Sequence, residues 1–127
     1  MGVAGLTLDA GALIEFERGQ RRAVALVARA RERGARLAVP AGVIGQVWRG
    51  GRRQVNLARL LASETCAVVV LDDQAARAAG QLCGVTGTHD VIDASVVLCA
   101  LARGQRIVTS DPADMRHLDA TIELVVV

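Results

Sequence analysis

The run from Val91 to Ala102, VIDASVVLCALA, restricts the fold more than any other part of the chain. From Ala94 to Ala102 its only polar residue is Ser95, so a helix formed there offers no face suited to water and belongs in the interior. Burial of that kind needs a sheet beneath the helix and other elements beside it. Asp93, in the first turn, is then a carboxylate carried to the rim of the core. A charge left without a partner there costs several kcal/mol, comparable with the whole stability of a small domain. Another part of the molecule has to hold it.

The rest of the chain supplies the sheet. Short β-type runs at Leu6–Leu8, Leu37–Val39, Val68–Leu71, Ile107–Thr109 and Ile122–Val127 alternate with helical stretches. The segment from Ala23 to Arg33 carries an aliphatic stripe at Val24, Leu26 and Val27, and the segment from Val55 to Ala62 places Leu57, Leu60 and Leu61 at helical spacing. Asp73 reads as the N-cap of a helix from Gln74 to Cys83, and Gly84 to Thr88 as a turn-rich break. Alternating strands and helices imply an α/β fold with a mostly parallel sheet of four or five strands and helices on both faces. At 127 residues the chain, 1–127, makes one domain with a real core. Phe16 and Trp48 are its only aromatic residues, so Val, Leu, Ile and Ala must fill that core.

Function in parallel sheets collects at the carboxyl ends of the strands. Asp9 ends the first strand in LTLDAGALIEF, and Asp111 follows the fourth in RIVTSDPADM. Each also reads as a helix cap, Asp111 with Pro112 behind it. Asp90 and Asp93 resemble a cap and its capping-box partner, but the apolar helix behind Asp93 turns its first turn toward the same edge as Asp9 and Asp111. Carboxylates gathered there would repel one another and raise their own pKa values unless a cation lay between them. With oxygen ligands only, that cation is Mg²⁺ or Mn²⁺, an ion suited to activating water against a phosphodiester.

Several other chemistries lack their residues. All 15 basic residues are Arg, so the lysine of a receiver domain is absent, and neither a D-x-D nucleophile motif nor a phosphate-binding glycine loop occurs. Cys66, Cys83 and Cys99 have no C-x-x-C spacing and read as buried free thiols in a reducing cytoplasm. His89 and His117 lie far apart without a third zinc ligand, and read as solvated or capping residues. No serine sits in a recognisable triad order. Arg49, Arg52 and Arg53 read equally as grips for RNA phosphates or as an exposed helix start, and Trp48 reads as core by default, with an apolar surface for a partner as the alternative. Charge is divided unevenly: residues 1–63 hold 11 Arg against 4 acids, and residues 64–127 hold 4 Arg against 9 acids. Solvated helix faces explain most asymmetries of this kind; a phosphate-bearing partner is the alternative.

The segments LTLDAGALIEF, VPAGVIGQVWRG and DVIDASVVLCALARGQRIVTSDPADMRHL resemble, in that order and along nearly the whole chain, the PIN domain, and within it the VapC-type toxins of bacterial toxin–antitoxin modules. The resemblance implies a three-layer α/β/α sandwich and a cytoplasmic, Mg²⁺- or Mn²⁺-dependent endoribonuclease. RNA, including tRNA or rRNA, would be the substrate, a cognate antitoxin the inhibitor, and a homodimer the assembly. It makes Asp9 and Asp93 the principal metal ligands, Asp111 the third member of the acidic cluster, Asp90 an accessory acid, and Thr109 the threonine two residues before the last acid. One position departs from the pattern. Gln46 stands where the family usually has Glu, which removes one negative charge and leaves open a weakened scaffold that binds RNA or antitoxin without efficient cleavage.

Overall fold

The computed structural model describes residues 4–127. Strand β1 (Leu6–Leu8) is followed by helices α1 (Ala10–Glu17) and α2 (Arg21–Glu32), and β2 (Leu37–Pro40) by α3 (Ala41–Val47), a 3₁₀ turn (Arg52–Gln54) and α4 (Val55–Ala62). Strand β3 (Cys66–Val69) leads into α5 (Asp73–Thr86) and α6 (Val91–Arg103); β4 (Arg106–Thr109), α7 (Pro112–Leu118) and β5 (Leu124–Val126) complete the order. The sheet runs β3-β2-β1-β4-β5. Every neighbouring pair in it is parallel, so the mostly parallel sheet expected from the sequence is wholly parallel across five strands.

Handedness assigns the layers. The crossovers from β1 to β2 and from β2 to β3 travel one way across the sheet, whereas those from β3 to β4 and from β4 to β5 travel the other. Right-handed connections therefore put α1 to α4 on one face and α5 to α7 on the opposite face. The packing agrees: α1 touches α2, α3 and α4, while α5, α6 and α7 touch one another. The result is the three-layer α/β/α sandwich. Helix α6 lies across β1, β2 and β4 and buries Ala94, Ser95, Val96, Val97, Cys99 and Ala100, as its apolar composition requires. Leu13, Leu37, Val39, Leu57, Leu60 and Ile107 complete an aliphatic core. Among the described residues, no single helix is long and apolar enough to cross a membrane.

Five local expectations shift. Strand β3 begins two residues early and stops at Val69, because its partner β2 offers only Leu37–Pro40 for pairing. Strand β5 is limited to three residues by its register with Ile107–Thr109. Asp72, not Asp73, caps α5: its Oδ1 accepts the Ala75 N–H at 2.8 Å, and Asp73 pairs with Arg77 instead. Helix α5 continues to Thr86, shortening the expected break. Trp48 is not core. It is 42% exposed at the end of α3, while Val47 beside it is buried.

Gln54 is buried and organises the turn after α3. Its Oε1 accepts the N–H groups of Arg49 and Gly50, each at 2.8 Å, and its Nε2 donates to the Val47 carbonyl at 2.8 Å. Gln54→Ala strands all three backbone groups, and the expected loss is about 2 kcal/mol of unfolding free energy in urea denaturation.

Candidate active site

The chain leaves the centre of the sheet in opposite directions from β1 and β4, and this switch point opens a crevice beyond their carboxyl ends. Asp9 and Asp111 lie there. Asp9 is only 3% exposed. Its backbone N–H donates to the Val108 carbonyl at 3.2 Å, which ties it to β4, and its Oδ1 accepts the Ala12 N–H at 2.8 Å as the N-cap of α1. The cap reading of Asp9 is therefore correct as far as it goes.

Thr109 joins the two strands' acids. Fully buried at the end of β4, it accepts the Asp111 N–H on its hydroxyl at 2.9 Å, and the same hydroxyl lies near enough to the Asp9 carboxylate to favour its charged form. Burial pushes the Asp9 carboxyl above its usual range, and the Asp111 charge adds to that; the Thr109 hydroxyl and the backbone hydrogen bonds oppose it. Gly11 allows the close approach, since a Cβ there would collide with the Ser110 side chain.

Asp93 enters from α6. Its carboxyl is half-buried and pushed up to about 7, first by burial and then by the charges of Asp90, Asp9 and Asp114. Asp90 caps α6 by accepting the Asp93 N–H at 2.9 Å. Asp111 does not cap α7 with its side chain. Its exposed carboxyl instead lies beside Asp114, whose proximity holds its pKa above the usual range. Asp114 has no counterpart in the sequence reading, although its spacing of three from Asp111 on a helix start places both on one face.

Asp9, Asp90, Asp93, Asp111 and Asp114 are thus connected by mutual repulsion or shared hydrogen bonds. Gln46 is exposed on α3, which packs on α1 and α6. His89 and His117, far apart in sequence, line with Thr88, Asp90, Asp93 and Asp114 a cavity of about 170 Å³. His117 Nε2 lies 3.0 Å from the Thr86 carbonyl, tying α7 to the end of α5. Cys83 and Cys99 are buried free thiols, and burial raises the pKa of half-buried Cys66.

The donor set suits a hard cation. It is all oxygen, and the ion pairs among the described residues, Arg18–Glu15 and Arg77–Asp73, leave every acid of the cluster without a guanidinium partner. No three acidic, His or Cys side chains among the described residues stand close enough to enclose an ion by themselves. Mg²⁺ does not require that: it commonly takes one or two carboxylates, keeps waters and adds substrate phosphate oxygens. Asp9, fixed by Ala12 and adjoining Thr109, and Asp93 opposite it could supply those two carboxylates.

Residues 6–120 match the PIN domain family. No curated protein sequence matches the chain. Among solved structures, VapBC2 from Rickettsia felis, bound to a DNA fragment from its promoter, aligns with a TM-score of 0.71 at 11% identity, covering 98% of this chain and 99% of that one. FitAB bound to the IR36 DNA fragment aligns with a TM-score of 0.64 at 15% identity, covering 94% and 93%. FitAcB from Neisseria gonorrhoeae gives 0.63 at 16%, covering 94% and 95%. At such identities these likenesses establish a shared fold over the full length.

Proposed function

The chain belongs to the PIN domain family, and from that premise we propose that it is a divalent-metal-dependent endoribonuclease, the toxin of a type II, VapBC-like toxin–antitoxin pair. The observation that carries this reading is the meeting of carboxylates from three separated segments, after β1, at the start of α6 and after β4, where burial and neighbouring acids raise the proton affinity of Asp9, Asp93 and Asp111 and no basic residue among the described ones is paired to them. In this reading Asp9 and Asp93 hold Mg²⁺ or Mn²⁺. Bound there, the ion lowers the pKa of a water and offsets charge on the phosphate oxygens. Asp111, solvent-facing beside Asp114 and raised in proton affinity by it, takes up the proton released by the attacking water. Thr109 positions both Asp9 and Asp111. Asp90 adds negative charge beside Asp93.

The FitAB and VapBC2 complexes support a cognate antitoxin as partner. Trp48 and Val55, both exposed, provide apolar surface for the homodimer and its antitoxin. The cytoplasm, where RNA is the substrate, is the proposed compartment. The test is direct: purified protein with Mn²⁺ should cut tRNA, and EDTA should stop it. Cleavage undiminished in EDTA would refute the reading.

Gln46 supports a second reading, a weakened nuclease retained for binding RNA or antitoxin. An exposed amide supplies neither the charge nor the base of a glutamate. Gln46→Glu should raise kcat/KM for tRNA cleavage by about tenfold, the size of one lost charge-assisted contact. A rise of several orders of magnitude would favour the weakened scaffold, and no change would place Gln46 outside the chemistry.

A further inference from the structure

Helix α2 carries an arginine stripe that the carboxylate site does not use. Arg22, Leu26, Arg29 and Arg33 recur at spacings of four, three and four, so they share one face over about 16 Å of helix. The three arginines are exposed, and among the described residues neither they nor Arg106 form an ion pair. Two openings flank the stripe. One, of about 210 Å³, lies between Arg22, Leu26, Arg29 and the Val125–Val127 segment; the other, of about 80 Å³, lies between Leu26, Arg29, Arg33 and Arg106. Sharing Leu26 and Arg29, they form one groove.

The position of the groove connects it to the acids. Val126 pairs with Thr109, and the Val127 N–H donates to the Thr109 carbonyl at 3.0 Å, so the upper end of the groove adjoins the sheet edge that holds Asp111. The lower end reaches Arg106 at the start of β4. Stability accounts for only part of the charge: Arg29 lies in the last turn of α2, where the helix dipole favours a cation. Arg21 and Arg22 occupy the first turn of α2, where no acid is present and the helix dipole disfavours cations, and Arg29 and Arg33 repel at the i, i+4 spacing.

Resting on the ribonuclease reading, we infer that this arginine groove is a track for the phosphate backbone of a folded RNA whose scissile bond lies at the carboxylates. Guanidinium forks match phosphate oxygens and remain charged at every working pH. An acidic protein partner fits less well, because no aromatic side chain lines the groove among the described residues, and its apolar lining, chiefly Leu6, Leu26 and Val125–Val127, offers no aromatic anchor. The preferred substrate is therefore an RNA large and structured enough to cover both places, such as tRNA, over a short oligoribonucleotide.

The test combines Arg22→Gln, Arg29→Gln and Arg33→Gln, with Arg77→Gln on α5 as the control and circular dichroism to verify folding. In EDTA, where binding is read without cleavage, the triple variant should weaken tRNA binding and reduce the slope of log affinity against log salt by about two to three. With Mn²⁺, KM for tRNA should rise about tenfold with kcat held, and kcat/KM should fall more for tRNA than for a short oligoribonucleotide. Unchanged affinity and slope would overturn the inference, as would arginine-dependent binding of polyglutamate in preference to tRNA, which would assign an acidic protein partner. If the wild type binds tRNA with the arginine-dependent slope but cuts none with Mn²⁺, the nuclease reading fails and the phosphate track stands.

Discussion

Asp93→Asn should reduce the proposed RNA cleavage by about 10³-fold while raising the melting temperature of the metal-free protein at pH 8; both expected effects follow from one carboxylate. Losing a ligand that holds the ion against the phosphate removes stabilisation present only where charge develops, and single electrostatic contacts of that kind are worth about 10²–10³ in rate. The stability effect has the opposite sign. The Asp93 carboxyl is pushed up to about 7, so the folded state holds its proton more tightly than the unfolded state, where the ordinary value of 3.8 applies. Its contribution is fully present below pH 4, declines as the pH rises toward 7, and is lost above that. Asparagine carries no charge to be repelled by Asp90, Asp9 and Asp114, so the variant escapes the loss. Melts by circular dichroism at pH 5 and pH 8, together with tRNA cleavage, read both halves. A variant that loses activity and also melts lower at pH 8 would make Asp93 an ordinary structural residue.

In the wild-type protein the same imbalance couples pH to metal. With EDTA, the melting temperature should fall by roughly 5 °C or more between pH 5 and pH 8, after allowance for the rest of the chain by comparison with the Asp93→Asn variant. Asp9 contributes in the same direction, since its pKa is also raised. At pH 8, Mn²⁺ should restore the loss, because an ion bound only by the folded state stabilises it. At pH 5 the same Mn²⁺ should do much less, since protons then compete for the carboxylates. Equal stabilisation by Mn²⁺ at both pH values would mean that the ion binds elsewhere.

The sequence exposes this site unevenly, for reasons that lie in the kind of interaction involved. Asp9 and Asp111 are legible because each directly follows a strand, and Asp93 because an apolar helix carries it to the sheet edge. Asp114 resembles any polar residue of a short helix; only its spacing from Asp111 marks it, and its proximity to that residue is a matter of side-chain direction. Thr109 entered through family resemblance, but its two-sided role depends on β4 lying beside β1, which no local pattern encodes. Helix α3, with two glycines and no side-chain cap, has little helical signal and is held by packing on α1, α6 and β2. Gln54 could not be singled out at all, because its three partners are backbone groups of a turn that exists only after folding. The edges of β3 and β5 were misplaced for a related reason: continuous valine runs fix no register, and the partner strand decides how much of each is paired.

The measurement that goes to the centre of the account is calorimetric titration of Mn²⁺ into the wild-type protein, Asp9→Asn and Asp93→Asn at pH 8, with circular dichroism confirming that each variant is folded. The wild type should bind Mn²⁺ saturably and in competition with Mg²⁺, and both folded variants should lose the binding isotherm. No saturable binding by the wild type, or the same affinity in all three proteins, would contradict the account.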